Sequence, residues 1–183
     1  GYSNVAIGVD TGDTITTGND NTYIGRHADA SANNRTNEVV LGSNISGQGS
    51  NTFKVKGTPY HTGNTTTWST TSDIRIKKNV VDNDTGLDKI NQIQVRNFEY
   101  KTEEEIKVDN PELKDVVGSV VVDKEGTQLG VIAQEIETIL PAVVKTEDTG
   151  VKSVNADNLT WYLINAVKEL SAEVEQLKSQ LNN

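Results

Sequence analysis

The chain contains no cysteine and no methionine. Without thiols there is no disulfide framework and no thiolate metal centre, and redox chemistry says nothing about compartment. Without methionine, and starting at Gly1, the sequence reads as a piece excised from a longer protein. No apolar run approaches the roughly 18 residues of a membrane span, and no signal-peptide pattern is visible. The two histidines, His27 and His61, have no ligand partners at metal spacing and read as surface residues. No phosphate loop, and no carboxylate pair in a glycine-rich cleft, is present, which leaves little for an enzyme acting on an external substrate. The expected cofactor is none. Positive charge is scarce too: the net charge is −9 over 183 residues, enough for one or two domains. Residues 1–70 carry five acids and four bases, and residues 71–183 carry 21 acids and 13 bases. The acidity therefore belongs to the second part and argues against a nucleic-acid surface.

What is present divides the chain near residue 71. Residues 1–70 are dominated by Gly, Asn, Ser and Thr, with three similar pentapeptides: Asn4–Gly8, Asn21–Gly25 and Glu38–Gly42. Their final glycines recur every 17 residues. Fixed self-similarity signals a repeat architecture in which each unit is a short strand plus a turn. Val, Ile, Thr and Tyr at the repeat centres favour strands, and the Gly-Asn-Asp clusters favour turns. Each repeat offers only two or three apolar side chains, so the repeats must either coil into a solenoid or associate with copies of themselves. Asn51–Gly57 alternates like a further strand. Thr62–Thr71, around Trp68, has little to fold around alone. A disordered linker is the competing reading for this half.

At the boundary stands Thr71-Ser72-Asp73-Ile74-Arg75-Ile76-Lys77-Lys78-Asn79. Ser72 offers a hydroxyl nucleophile and Lys77 a base, and Ser-Lys pairs are an established form of nucleophilic catalysis. A lysine serves as a base only when neutral, and the like charges of Arg75 and Lys78 work in that direction. Geometry restricts the pair. In a strand the two residues stand roughly 16 Å apart, and in a helix positions i and i+5 face different ways. They meet only through a sharp bend or across a subunit boundary. The competing reading is a helix N-cap serine followed by a solvated basic run.

Beyond residue 79 the pattern is that of a mixed α+β domain. Asp84 or Thr85 can cap a short helix bearing Leu87, Ile90 and Ile93, and Val95–Lys101 reads as a strand. Lys101–Asp115 reads as an exposed loop or protruding arm. Val120–Val122 and Leu129–Ile132 read as a hairpin, and so do Val143–Val144 and Val151–Val154. A helix over Ala133–Leu140 stops at Pro141. Asn155 or Asp157 then caps a last helix in which Leu163, Leu170 and Leu177, and likewise Val167, Val174 and Leu181, recur every seven residues. This is an a/d seam of about three heptads, a coiled coil over about 156–182. Val at a with Leu at d favours two strands in isolated peptides. Glu135, beside Gln134, either supports the chemistry of Lys77 or simply lies on the solvated face of its helix.

Three ordered blocks carry a resemblance: Ser72-Asp73-x-Arg75-x-Lys77-x-Asn79; Gly130-Val131-Ile132-Ala133-Gln134-Glu135 with Leu140-Pro141 after it; and the helix Leu159–Leu181. Together they resemble the S74 peptidase family, the C-terminal intramolecular chaperone of phage tail spikes and tail fibres of the endosialidase type. Ile76, where that family more often has Leu, and the 101–115 segment depart from its pattern. The repeats are similar to trimeric adhesin heads and phage fibre shafts. The resemblance implies an N-terminal all-β shaft over 1–71 and a chaperone over 72–183, assembled as a homotrimer against the preference of the isolated seam. It further implies self-cleavage between Thr71 and Ser72, with Ser72 and Lys77 catalytic and Asp73, Arg75 and Glu135 as possible supporting residues. The folding client is the chain's own fibre region. A host cell-surface receptor or glycan is a further expected partner, while nucleic acid and membrane are not. The expected location is the virion, with the chaperone made in the host cytoplasm and released after cleavage. The alternative is a non-cleaving adhesin or receptor-binding tip whose last helix is a stalk.

Overall fold

The 17-residue spacing becomes a parallel ladder. In the structure, a computed structural model describing residues 1–57 and 70–182, the repeats form β1 (Val5–Ile7), β2 (Thr22–Ile24), β3 (Ala28–Asp29), β4 (Val39–Leu41), β5 (Ile45–Ser46) and β6 (Phe53–Val55). Strands β1, β2, β4 and β6 lie side by side in one parallel sheet, and β3 pairs with β5 in a second. Register follows the repeat for two steps, Val5 opposing Thr22 and Thr22 opposing Val39, and the last step is three residues shorter, with Val39 opposing Phe53. Parallel neighbours that follow one another in sequence require the chain to return to its starting end each time, so each repeat makes one coil. Of the two routes the composition left open, coiling is the one realised within a single chain. Tyr23 and Val40 are fully enclosed, and Ala28, Ala30 and Ile45 complete the core with Ile15 packed against it. His61, Trp68 and most of the Thr62–Thr71 stretch lie outside the described residues.

Polar residues do the stacking that apolar ones are too few to do. The Asn21 amide and side-chain NH₂ both donate to Asn4 Oδ1 at 3.0 Å, and the Glu38 amide donates to Asn21 Oδ1 at 2.9 Å. The ladder ends on Glu38, fully buried, whose carboxylate accepts from Tyr23 OH at 3.1 Å, Ser31 Oγ at 2.9 Å and the Gly49 amide at 2.8 Å. A buried carboxylate is tolerable only when its oxygens are hydrogen-bonded in this way. Gly25 shows why the repeat glycines are fixed. Its φ is +128°, and a Cβ there would stand 2.0 Å from the Gly42 carbonyl oxygen. Left-handed residues also repeat, at Asp10, His27 and Asn44 and at Ser3, Asp20 and Asn37.

The remaining elements are α1 (Leu87–Gln92), β7 (Arg96–Phe98), α2 (Glu103–Asp109), α3 (Val117–Val120), β8 (Gln128–Gly130), α4 (Ala133–Ile139), β9 (Val144–Thr146), β10 (Lys152–Val154) and α5 (Ala156–Leu181). The chain forms two compact units, each discontinuous: Gly1–Gly57 with Ile93–Asn155, and Thr58–Gln92 with Ala156–Asn183.

In the first unit, β9 and β10 form the expected hairpin about Asp148–Gly150. Helix α4 buries Ile136, with Leu140 enclosed at its end and a 3₁₀ turn starting at Pro141. Two expectations are corrected. Lys101–Asp115 is not a loop: α2 occupies it, opened by a capping box in which the Glu105 amide donates to Thr102 Oγ1 while the Thr102 amide donates to the Glu105 carboxylate at 2.8 Å. Val120–Val122 does not pair with Leu129–Ile132; Val120 ends helix α3, and β8 pairs antiparallel with β7 instead.

In the second unit, α1 packs on α5. Gly86 permits this, since a Cβ there would stand 2.4 Å from the Ala166 amide nitrogen. The first amide of α1, that of Leu87, donates to Glu169 Oε2 at 2.9 Å, so a carboxylate from α5 takes the capping role expected of Asp84 or Thr85. Asn165 Nδ2 donates to the Asn83 carbonyl at 2.6 Å, a second tie. Ala166 is the one buried residue of α5, while Leu163, Leu170 and Leu177 are about half exposed.

Candidate functional site

Ser72 and Lys77 meet within one chain. Lys77 Nζ donates to Ser72 Oγ at 2.6 Å. The bend that allows this is a single 3₁₀ turn, Ile74–Ile76, with the Ile76 amide on the Asp73 carbonyl and the Lys77 amide on the Ile74 carbonyl. A 3₁₀ turn rises about 2.0 Å per residue, against about 3.3 Å in a strand, and this shortening brings position i+5 within reach of i.

Asp73 and Arg75 build the turn. Asp73 is its N-cap: Oδ1 accepts from the Arg75 amide at 2.8 Å. The Arg75 guanidinium then closes on the same carboxylate, Nε to Oδ1 at 2.9 Å and Nη2 to Oδ2 at 2.6 Å. Hydrogen bonds from the Arg75 side chain, then from its backbone amide, hold the Asp73 carboxyl below the usual carboxylate range. The same contact raises the Arg75 guanidinium. Both residues are thus occupied with one another, and their role toward Ser72 and Lys77 is to set the backbone bend between them. The clue in the sequence was an N-cap acid two residues ahead of an arginine.

Thr71 and Ser72 lie in exposed backbone outside any helix or strand. Ser72 is therefore not the helix cap of the competing reading; that position belongs to Asp73. Ile74 and Ile76 are exposed as well.

Glu135 lies in the other compact unit. It sits in the first turn of α4 and is clasped by Arg96 of β7, Nη2 to Oε1 at 2.8 Å and Nε to Oε2 at 3.2 Å. This two-point contact raises the Arg96 guanidinium and ties α4 to the β7–β8 pair.

Chemically, the boundary stretch offers a hydroxyl and an amine in hydrogen-bond contact, open to solvent, one covalent step from the Thr71 carbonyl. Among the described residues no group of three His, Asp or Glu side chains could hold a metal ion, and no helix is long and apolar enough to cross a membrane. Residues 72–145, which begin at the serine of this pair, match the family model of Peptidase_S74, chaperone of endosialidase, and this match supports the resemblance to the S74 chaperone domain.

Proposed function

We propose that the chain is the end of a homotrimeric phage tail fibre or spike, joined to an intramolecular chaperone that cuts itself free between Thr71 and Ser72. The family match supports a chaperone role and implies a phage tail-associated protein. The observation that carries the cleavage reading is the 2.6 Å contact between Ser72 Oγ and Lys77 Nζ.

In the proposed reaction Ser72 Oγ attacks the Thr71 carbonyl carbon, and its proton passes to neutral Lys77 Nζ. The C–N bond then breaks as Lys77 returns the proton to the departing Ser72 nitrogen, leaving a Thr71 ester on Ser72 Oγ. Water hydrolyses the ester, giving a Thr71 carboxylate and a free Ser72 amine. Asp73 and Arg75 act as positioning residues, holding the turn that brings amine to hydroxyl. Because the pair meets inside one chain, the chemistry itself does not call for a residue from a second subunit. Trimerisation serves folding instead: chains aligned at one end meet in a step that is effectively intramolecular, and removal of the aligner makes unfolding kinetically slow.

The test is the intact mass of purified protein after folding. The wild-type chain should yield a fragment spanning residues 72–183, whereas Ser72→Ala and Lys77→Ala should each stay whole. A cut that persists in both variants would falsify the dyad. A wild-type chain that stays whole would favour the non-cleaving adhesin tip.

A further inference from the structure

The two sides of the Thr71–Ser72 bond contribute to the same compact unit, Gly1–Gly57 from before it and Ile93–Asn155 from after it. They touch at the last coil of the repeats, at two points.

The first is the tip of the β9–β10 hairpin. Asp148 Oδ2 accepts from the Ser50 amide at 3.0 Å and from Arg35 Nη1 at 3.1 Å. The same Arg35 donates through Nε to Ser31 Oγ at 2.8 Å, and Ser31 Oγ donates to buried Glu38 at 2.9 Å. The contact at the surface is thereby linked to the carboxylate at the heart of the repeats. Gly49 makes room for it: its φ is +134°, and a Cβ would stand 2.7 Å from Asp148 Oδ2. Beside it, buried Thr149 accepts from Gln48 Nε2 at 3.4 Å.

The second point is Lys54. It occupies the inward register position filled by Ala6, Tyr23 and Val40 in the earlier coils. Its ammonium donates to the Ser119 carbonyl in the short helix α3 and to Gln48 Oε1 at 3.4 Å. Burial pushes this ammonium below the ordinary lysine value, with the Glu38 carboxylate opposing. Val117 and Ser119 are buried, and Gly118 lies over Ser46, where a Cβ would come within 3.3 Å of Oγ.

We infer that the Asp148 hairpin and α3 form a docking seat for the last coil of the chain's own repeats, and that this seat holds the chaperone on the shaft after the backbone is cut. Cleavage and release are then separate events, and the second is set by the Asp148 contacts. In the native protein this rests on the cleavage reading, so the test supplies the cut from outside.

A Ser72→Ala chain carrying a site-specific protease sequence inserted between Thr70 and Thr71 is digested to completion and passed over a native sizing column. The fragments should co-elute. Asp148→Ala removes the acceptor of two hydrogen bonds, one from a guanidinium, and should shorten the lifetime of the cut complex by about tenfold or more. Asp148→Asn, which keeps the shape without the charge, should fall between. Because Asp148 lies in an exposed turn, the uncut variants should keep the wild-type circular dichroism spectrum. Separation of the wild-type pieces as soon as they are cut, or an unchanged lifetime in both Asp148 variants with wild-type spectra, would overturn the inference. Self-cutting of the unmodified chain is read independently, by mass.

Discussion

The stacked repeats and helix α5 satisfy the same need in opposite ways. In the repeats, only an inner set of side chains is enclosed: Tyr23 and Val40 are sealed, and the polar partners Asn21 and Glu38 are sealed with them, while Val5, Ile7 and Phe53 remain exposed. In α5 apolar side chains are plentiful and open, with Leu163, Val167, Leu170, Val174, Leu177 and Leu181 all exposed along one face. The repeats are completed by backbone and side-chain hydrogen bonds made within the chain. The helix presents an apolar face that, among the described residues of its own unit, is left exposed. Stability should therefore be lost by damage inside the repeats, and assembly by damage on the helix.

The heaviest loss is expected from Gly25→Ala. A methyl group there meets the next coil at 2.0 Å, at a φ that L-residues avoid. Several kcal/mol, on the order of 3 or more, should disappear from the unfolding free energy of the first unit. Urea titration followed by tyrosine fluorescence checks this, and a wild-type midpoint would break the claim that close backbone stacking governs the repeats.

Tyr23→Phe should cost less, about 1–3 kcal/mol, because Glu38 loses one donor and keeps the others. This variant also has a pH signature. Burial, and then the Glu38 carboxylate, raise the Tyr23 phenol above its ordinary 10.0. The folded chain therefore holds the proton to higher pH than the unfolded chain does. Its contribution is full below pH 10.0 and falls as the pH climbs above that value. Melting curves between pH 8 and 11 should show a decline that is shallower in Tyr23→Phe. Equal slopes would mean that the phenol is not enclosed in solution.

The smallest effect on the chain's own stability, within about 0.5 kcal/mol, is expected from Leu170→Asp, since that side chain is half exposed. The same substitution should reduce the proposed trimer to monomers in sedimentation velocity. A variant that remains assembled would show that the exposed seam is not what joins the chains.

These contrasts also explain what could be read in advance. The repeat strands were legible because glycine spacing and apolar triplets are local and the parallel register repeats them. Helix α4 and the β9–β10 hairpin were legible because Pro141 and Asp148-Thr149-Gly150 punctuate them. Helix α2 was misread because its charges outweighed the Thr102-x-x-Glu105 capping box, which was present in the sequence. Partner choice was the harder problem: nothing near Val120 announces that β8 will pair with β7 from more than thirty residues away. At the boundary stretch, the residue types of a Ser-Lys pair were legible and their contact was not. The bend depends on Asp73 and Arg75 closing on each other, which linear spacing does not reveal.

The charge of Lys54 has one more consequence. Among the described residues, β6 is the last strand of the parallel sheet and pairs with β4, so Lys54 stands at the end of the described column of inward positions. A hydrophobic residue at the inward position would let another coil settle above it with its side chain continuing the column of Tyr23 and Val40. An ammonium group at that position, held by the Ser119 carbonyl and Gln48 Oε1, carries a desolvation cost that a hydrophobic residue does not. A lysine at that position should therefore make the stacking of a further coil less favourable than an apolar residue would.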